Sequence, residues 1–347
     1  MEESNLSVVL HKVNDLRLEN TAIREPGKGE VQLRIARVGI CGSDISLWKH
    51  GCIGKIKVTS PFTLGHEAAG IVSKLGEGVS NLKVGDRVAI EPVTTCGRCD
   101  KCKNGRYHLC SKRIVFGMPP YNGGLTRYHV HGADLCYKLP DNISLEEGAL
   151  IEPLFVTIHA ARRAGITLGS RVLICGAGTI GLLSLLVAKS YGASQVCVID
   201  LNESRLRLAK SMGADVILVP KNNGARELAD EIEECMNGKP TISLECSGDP
   251  LCVQSSIYAT DSGGCVVCIG LGPDDVTIPL VDAVLREVDV KGIIIYPHCY
   301  PIALALLKSG NIDVKQIITH EFKLQQALEA FELVDRKEGI KVMINCE

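Results

Sequence analysis

Residues 171–200 read RVLICGAGTIGLLSLLVAKSYGASQVCVID. An apolar run is followed by Gly176-Ala177-Gly178-Thr179-Ile180-Gly181, a long apolar stretch, and a second apolar run that ends at Asp200. Strand, tight turn, helix, strand is the setting in which a G-x-G-x-x-G pattern carries meaning. Gly176, Gly178 and Gly181 permit the turn, let backbone approach a pyrophosphate, and let the helix pack closely. The first N–H groups of that helix are then free to bond phosphates. Asp200 is placed to accept hydrogen bonds from the adenosine ribose and would repel a 2′-phosphate, so NAD is favoured. Arg205 could approach a phosphate and allow mixed cofactor use, or be a solvated helix charge.

Outward from this stretch the alternation continues through SRLRLAKSMGA, DVILVP, ELADEIEECMNG, ISLECSG and GCVVCIG. The expected fold class is α/β, with residues 156–290 forming a doubly wound parallel sheet of the Rossmann type. Upstream, residues 5–150 carry short alternating segments such as VQLRIARVGI, AAGIVSKLG and DRVAIEP between Gly and Pro turns, a pattern of antiparallel strands. After about residue 290 the pattern shifts again, to PIALALLKSG, KLQQALEAFELVDRK and IKVMINC. The amphipathic spacing of the middle segment suits packing on its own domain or on another subunit.

The 347 residues suit two domains, and 38 Lys and Arg against 40 Asp and Glu give no electrostatic case for nucleic acid or an anionic membrane. The opening MEESNLSVVL has acidic residues where a signal peptide needs basic ones, and no apolar run is long enough to span a bilayer. A cytoplasmic protein with a small-molecule partner is expected. The 16 cysteines then point to metal-binding thiolates and buried apolar thiols rather than disulfides. Cys175, Cys197, Cys246 and Cys268 lie in apolar runs and read as core residues.

Cys96, Cys99, Cys102 and Cys110 fall in TTCGRCDKCKNGRYHLC, a segment too polar to fold alone. Four thiolates at this spacing can close a tetrahedral zinc site that holds a lobe in place; an iron–sulfur cluster would accept the same ligands. Cys41, in CGSD, and His66-Glu67, in GHEAAG, each follow or precede a strand-like run. Cysteine, histidine and carboxylate form a mixed zinc ligand set with one position left open, the arrangement that polarises an oxygen. His129 and His131 share one side of a strand but lack a nearby third ligand, so they read as structural or surface residues. His159 reads as a core histidine.

CGSD at 41–44, GHEAAG at 65–70, the four-cysteine lobe, LPDNISLEEGALIEPL at 139–154 and GAGTIG at 176–181 together resemble the zinc-containing medium-chain dehydrogenases. Within them the chain is similar to the sorbitol dehydrogenase (polyol dehydrogenase, ketose reductase) branch. The resemblance implies a mostly β GroES-like catalytic domain, residues 1–155 and 291–347, with a structural zinc lobe. It implies a catalytic zinc on Cys41, His66 and Glu67, with Glu152 bound directly or through water, and Ser43 passing the substrate proton outward. Ile180, Asp200, Arg205, Ile269, Gly270, Leu271, Ile293, Ile294 and Ile295 would line the NAD pocket. Hydride would pass between a secondary alcohol or polyol and NAD, as in L-iditol 2-dehydrogenase, in a homodimer or homotetramer with one catalytic and one structural zinc per subunit.

The family's polyol-binding arginine is matched here by Ile295, although Tyr296 beside it is kept. A second family tyrosine is matched by Leu47, the relay histidine by Ser46, and Val115 and Met118 stand at pocket positions in IVFGMPPYNGG. A site stripped of a bidentate donor discriminates differently among hydroxylated substrates. The expected substrate is therefore a less hydroxylated secondary alcohol or a polyol other than sorbitol. A different class of function, a nucleotide-binding protein without turnover, would keep the fold but has no need of the intact ligand set.

Overall fold

The computed structural model describes residues 4–221 and 224–347. The chain divides into two compact units: one runs up to Glu152 and adds Tyr300–Gly310 and Val314–Glu347, the other takes Pro153–Cys299 with Asn311–Asp313.

The second unit is built on six parallel strands in the spatial order Val216–Leu218, Gln195–Ile199, Arg171–Cys175, Ile242–Glu245, Cys265–Cys268, Asp289–Gly292. The apolar runs explain the arrangement. Val172 to Cys175 and Val196 to Cys197 are fully buried, as strands must be when helices cover both sheet faces. The crossover helices are Thr179–Ser190, Glu203–Ser211, Ala225–Met236 and Pro250–Ala259. Two are started by side chains. Asn202 accepts from the Ser204 and Arg205 N–H groups, and Asp249 accepts from those of Leu251 and Cys252, with Pro250 in the first turn. Chain order reverses between Arg171–Cys175 and Ile242–Glu245, which makes the carboxyl ends of those strands the crevice where such sheets bind ligands.

The first unit is mostly antiparallel. Its central strand, Glu30–Gly39, pairs with Glu67–Leu75, Tyr128–Gly132 and Lys341–Asn345, so the end of the chain returns to the middle of the sheet. Arg87–Ile90, Cys136–Lys138 and Ile318–Lys323 complete seven strands. The core holds Leu33, Ile35, Val38, Val88, Ile90, Phe331 and Ile344, all nearly inaccessible. The helix Ala327–Asp335 packs on its own unit: Phe331 meets Trp48 edge to face at 5.9 Å, and Lys49 pairs with Asp335 at 3.0 Å. Among the described residues no helix is long and apolar enough to cross a membrane.

Candidate metal and dinucleotide sites

The strand Glu30–Gly39 delivers Cys41 to the N-terminus of the helix Gly42–His50, where the Asp44 carboxylate accepts the Cys41 N–H at 3.0 Å. The antiparallel register sets Glu67 opposite Gly39, which brings His66 and Glu67 to the same end of the sheet. The ligand atoms of Cys41, His66 and Glu67 lie within 4.8 Å of one another, with His66 and Glu67 buried. Asp44 is fully buried, and its carboxylate stands 3.5 Å from His66 Nδ1 without hydrogen-bond geometry. Two buried polar atoms left that close and unsatisfied are what a metal on the far ring nitrogen would resolve by turning the imidazole toward the carboxylate. Burial opposes charge on His66, but Asp44 and then Cys41 hold its pKa well above the ordinary value, so a metal there would displace a proton. The Ser43 hydroxyl lies 3.3 Å from His66 Nε2. Glu152 is half-buried in the helix Leu145–Ala164, next to the internal Pro153, and is not in the converging set found among the described residues.

Lys341, which sequence reasoning missed, completes this centre. Its ammonium donates to Glu67 Oε1 at 2.8 Å, to Glu67 Oε2 at 2.6 Å and to the Ile40 carbonyl at 2.9 Å, using all three protons in a pocket where lysine is 2% and glutamate 1% exposed. Gly39 makes the room, since a Cβ there would stand 2.2 Å from Glu67 Oε2. No local signal marks Lys341, because its partner lies 274 residues away in sequence.

The four lobe thiols are all free of disulfides. Their sulfurs are spaced at 3.5 Å (Cys99–Cys102), 3.5 Å (Cys110–Cys96) and 3.9 Å (Cys96–Cys102). A tetrahedron with Zn–S bonds of about 2.3 Å has edges of about 3.8 Å, so the cradle fits a single ion and is too tight for a polynuclear cluster. The Arg98 and Cys99 N–H groups aim at Cys96 and bring its thiol down to about 6, thiolate chemistry ready for a cation.

In the second unit the turn at Gly176–Gly181 forms a close cradle. A Cβ on Gly181 would fall 1.7 Å from the Gly176 carbonyl, and Gly176 itself has φ 96°. Ile180 lies in the first turn of the helix capped by Gly178. Asp200, just past its strand, accepts from Ala177 N–H at 2.6 Å and Asn202 N–H at 2.8 Å, so the carboxylate is already oriented beside the turn. Arg205 lies in the helix Glu203–Ser211. Ile269, Gly270 and Leu271 follow the strand Cys265–Cys268, and Ile293, Ile294 and Ile295 follow Asp289–Gly292, so all of these sit at carboxyl ends of the parallel sheet. Ile295 is held at φ 52°, a left-handed conformation that costs a β-branched residue energy.

The expected substrate residues are distributed differently. Val115 and Met118 are half-buried, whereas Leu47 and Tyr296 are fully buried, Tyr296 with its ring 5.0 Å from that of Phe155. His129 and His131 belong to neither donor set; they flank Phe116, and His131 donates to the Glu91 carbonyl at 2.9 Å. His159 is buried, at 8% exposure.

Known proteins resemble this chain along nearly its whole length. Residues 27–141 match the alcohol dehydrogenase GroES-like domain and residues 179–309 match the zinc-binding dehydrogenase family. The chain is 52% identical over 343 residues to a sorbitol dehydrogenase of Gallus gallus, covering 99% of this chain and 97% of the other. Among solved structures it resembles 2R,3R-butanediol dehydrogenase of Bacillus subtilis (TM-score 0.90, 30% identity, 99% and 100% covered). It also resembles a short chain alcohol dehydrogenase of Escherichia coli CFT073 complexed with NADH (TM-score 0.91, 27% identity, 99% of each chain covered). With half its residues shared along nearly its whole length, this chain belongs to the zinc-binding dehydrogenases, on the branch that holds the sorbitol dehydrogenases.

Proposed function

We propose that this protein oxidises a secondary hydroxyl of a polyol to the ketone with NAD, and reduces the ketose in reverse. The observation that carries the reading is the convergence of Cys41, His66 and Glu67, a donor set that leaves one metal position for an alcohol oxygen. Zinc held by these residues would supply Lewis-acid charge to that oxygen, and NAD held at the Gly176–Gly181 turn would supply the hydride acceptor. Asp44 orients His66, Lys341 orients Glu67, Ser43 conducts the substrate proton outward, and Glu152 stands in reserve as a further ligand or water acceptor. Cys96, Cys99, Cys102 and Cys110 hold a second, structural zinc. Gly176, Gly178 and Gly181 seat the pyrophosphate, Asp200 the adenosine ribose. In this reading residues 1–155 with 291–347 act as the catalytic domain and 156–290 as the NAD domain of a cytoplasmic enzyme.

A less polar secondary alcohol is the second reading, favoured by Ile295 at the position of a polyol-binding arginine. The subunit partner is a second copy. Leu280, Val281, Val284 and Leu285 of the helix Leu280–Leu285 are 60–79% exposed beside the sheet's terminal strand Asp289–Gly292, an apolar patch and a strand edge that self-pairing covers.

The deciding experiment follows NADH formation by purified protein over sorbitol, xylitol, other polyols and simple secondary alcohols, with and without a chelator. Chelator-sensitive turnover of polyols supports the first reading; turnover confined to less polar alcohols supports the second. NADH binding without turnover on any of them would sink both.

A further inference from the structure

Outside the two donor sets, Glu91 is a buried carboxylate of the first unit that sits in an organised network. Glu91 follows the strand Arg87–Ile90 and is 2% exposed. Its Oε1 accepts the Tyr107 hydroxyl and its Oε2 the Tyr137 hydroxyl, each at 2.9 Å. Tyr137 belongs to the body of the unit: its ring stacks on Tyr300 at 4.3 Å, and the Tyr300 hydroxyl donates to the Ile90 carbonyl at 2.6 Å. Tyr107 belongs to the lobe, in the short turn between Cys102 and Cys110. One carboxylate thus joins lobe and body through a charge-assisted bond on each side.

The lobe is also tied to the first donor set by its stem. Val93–Thr94 pairs with Ile114–Val115 and closes the lobe at its base. The segment leaving that stem runs against the backbone before His66. Phe116 N–H donates to the Pro92 carbonyl at 2.9 Å, Gly123 N–H to Thr63 at 2.7 Å and Gly124 N–H to Gly65 at 2.8 Å. The approach is so close that a Cβ at Gly117 or Gly123 would stand 2.3 or 2.2 Å from the Gly65 carbonyl. Packing this tight passes a displacement on rather than absorbing it.

We propose that Tyr107 and Glu91 are positioning residues for the alcohol reaction. Their hydrogen bond seats the cysteine lobe so that Val115–Gly124 is held against Gly65, and the lobe's metal thereby sets how well alcohol binds beside His66. The inference rests on the reading above that the lobe holds zinc, and on the expectation from sequence that Val115 and Met118 stand at pocket positions.

The test compares full-length, zinc-loaded Tyr107→Phe and Tyr137→Phe with the wild type. Tyr107→Phe removes one donor from a charged acceptor, so release of lobe zinc to a chelating chromophore should speed up about tenfold. KM for the best alcohol should rise by about the same factor, while kcat and NADH affinity stay within about twofold. Tyr137→Phe takes a donor from the same carboxylate but not from the lobe, and should leave zinc release at the wild-type rate. Wild-type KM and zinc release in Tyr107→Phe would overturn the proposal, as would equal acceleration in both variants, which would make the effect one of Glu91 burial alone. A wild type holding a single zinc per chain would instead overturn the underlying reading of the lobe, and with it the metal's part in this one.

Discussion

Lys341→Met tests whether the buried ammonium and the candidate metal share Glu67. At 2.6–2.8 Å, opposite charges attract by about 6 kcal/mol at an effective dielectric near 20, but desolvation of both offsets much of this. What decides the outcome is the carboxylate left behind. A buried charge stripped of its partner costs about 3–5 kcal/mol, whereas replacing the whole pair by apolar residues of similar volume is close to neutral. In chelator, Lys341→Met should therefore lose about 3–5 kcal/mol in denaturant unfolding, and Lys341→Met with Glu67→Leu should recover most of it. With zinc present the deficit of the single variant should shrink, because the metal supplies the missing positive charge. Each ~1.4 kcal/mol of shrinkage is a tenfold gain in zinc affinity, which a competition titration measures independently. A chelated single variant within about 0.5 kcal/mol of the wild type would refute the reasoning about burial. A deficit identical with and without zinc would refute Glu67 as a ligand.

Gly181→Ala drives a methyl into the Gly176 carbonyl, so NADH fluorescence titration should show affinity falling at least about a hundredfold (~2.7 kcal/mol) while zinc content is unchanged; wild-type affinity would contradict the cradle. Burial first, then His131 and Arg24, hold His129 down to about 3. A histidine kept neutral when folded but protonated near 6.5 when unfolded loses stability as pH falls between those values, by up to about 1.4 kcal/mol per pH unit. His129→Gln should flatten that acid limb in unfolding measured from pH 7 to 4, and an unaltered limb would exclude His129 as its source. Val281→Lys with Leu285→Lys should yield monomers in sedimentation velocity at micromolar concentration, and an unchanged species would remove that patch as the interface.

The parts of the fold that read most clearly from sequence are those written locally. Residues 171–200 disclose a doubly wound sheet because the glycine turn, the helix and the two strands follow one another without interruption. The four lobe cysteines disclose a closed metal cradle because three of their spacings lie within a single short segment. Cys41 and His66 are separated by a helix and three short strands; their residue types suggest a mixed zinc ligand set, and the resemblance of CGSD and GHEAAG to a known family assigns them to one metal. Lys341, Gly39, Tyr107 and Glu91 are invisible at that level. Each is ordinary in its own neighbourhood, and each gains its role from antiparallel register or from a side chain that arrives from a distant strand. The left-handed Ile295 is likewise unreadable in advance, since nothing in GIIIYPH asks a β-branched residue for positive φ.

The strand Lys341–Asn345 lies beside Glu30–Gly39, at the centre of a sheet whose other members come mostly from the first 140 residues. On the ribosome, therefore, the Cys41, His66 and Glu67 segments emerge long before the lysine that neutralises Glu67. Until that strand docks, burying Glu67 is unfavourable, and the half-made sheet keeps an open slot beside Gly39. Burial of Glu67 is thus coupled to docking of a strand 274 residues away in sequence, unless a metal supplies the positive charge first.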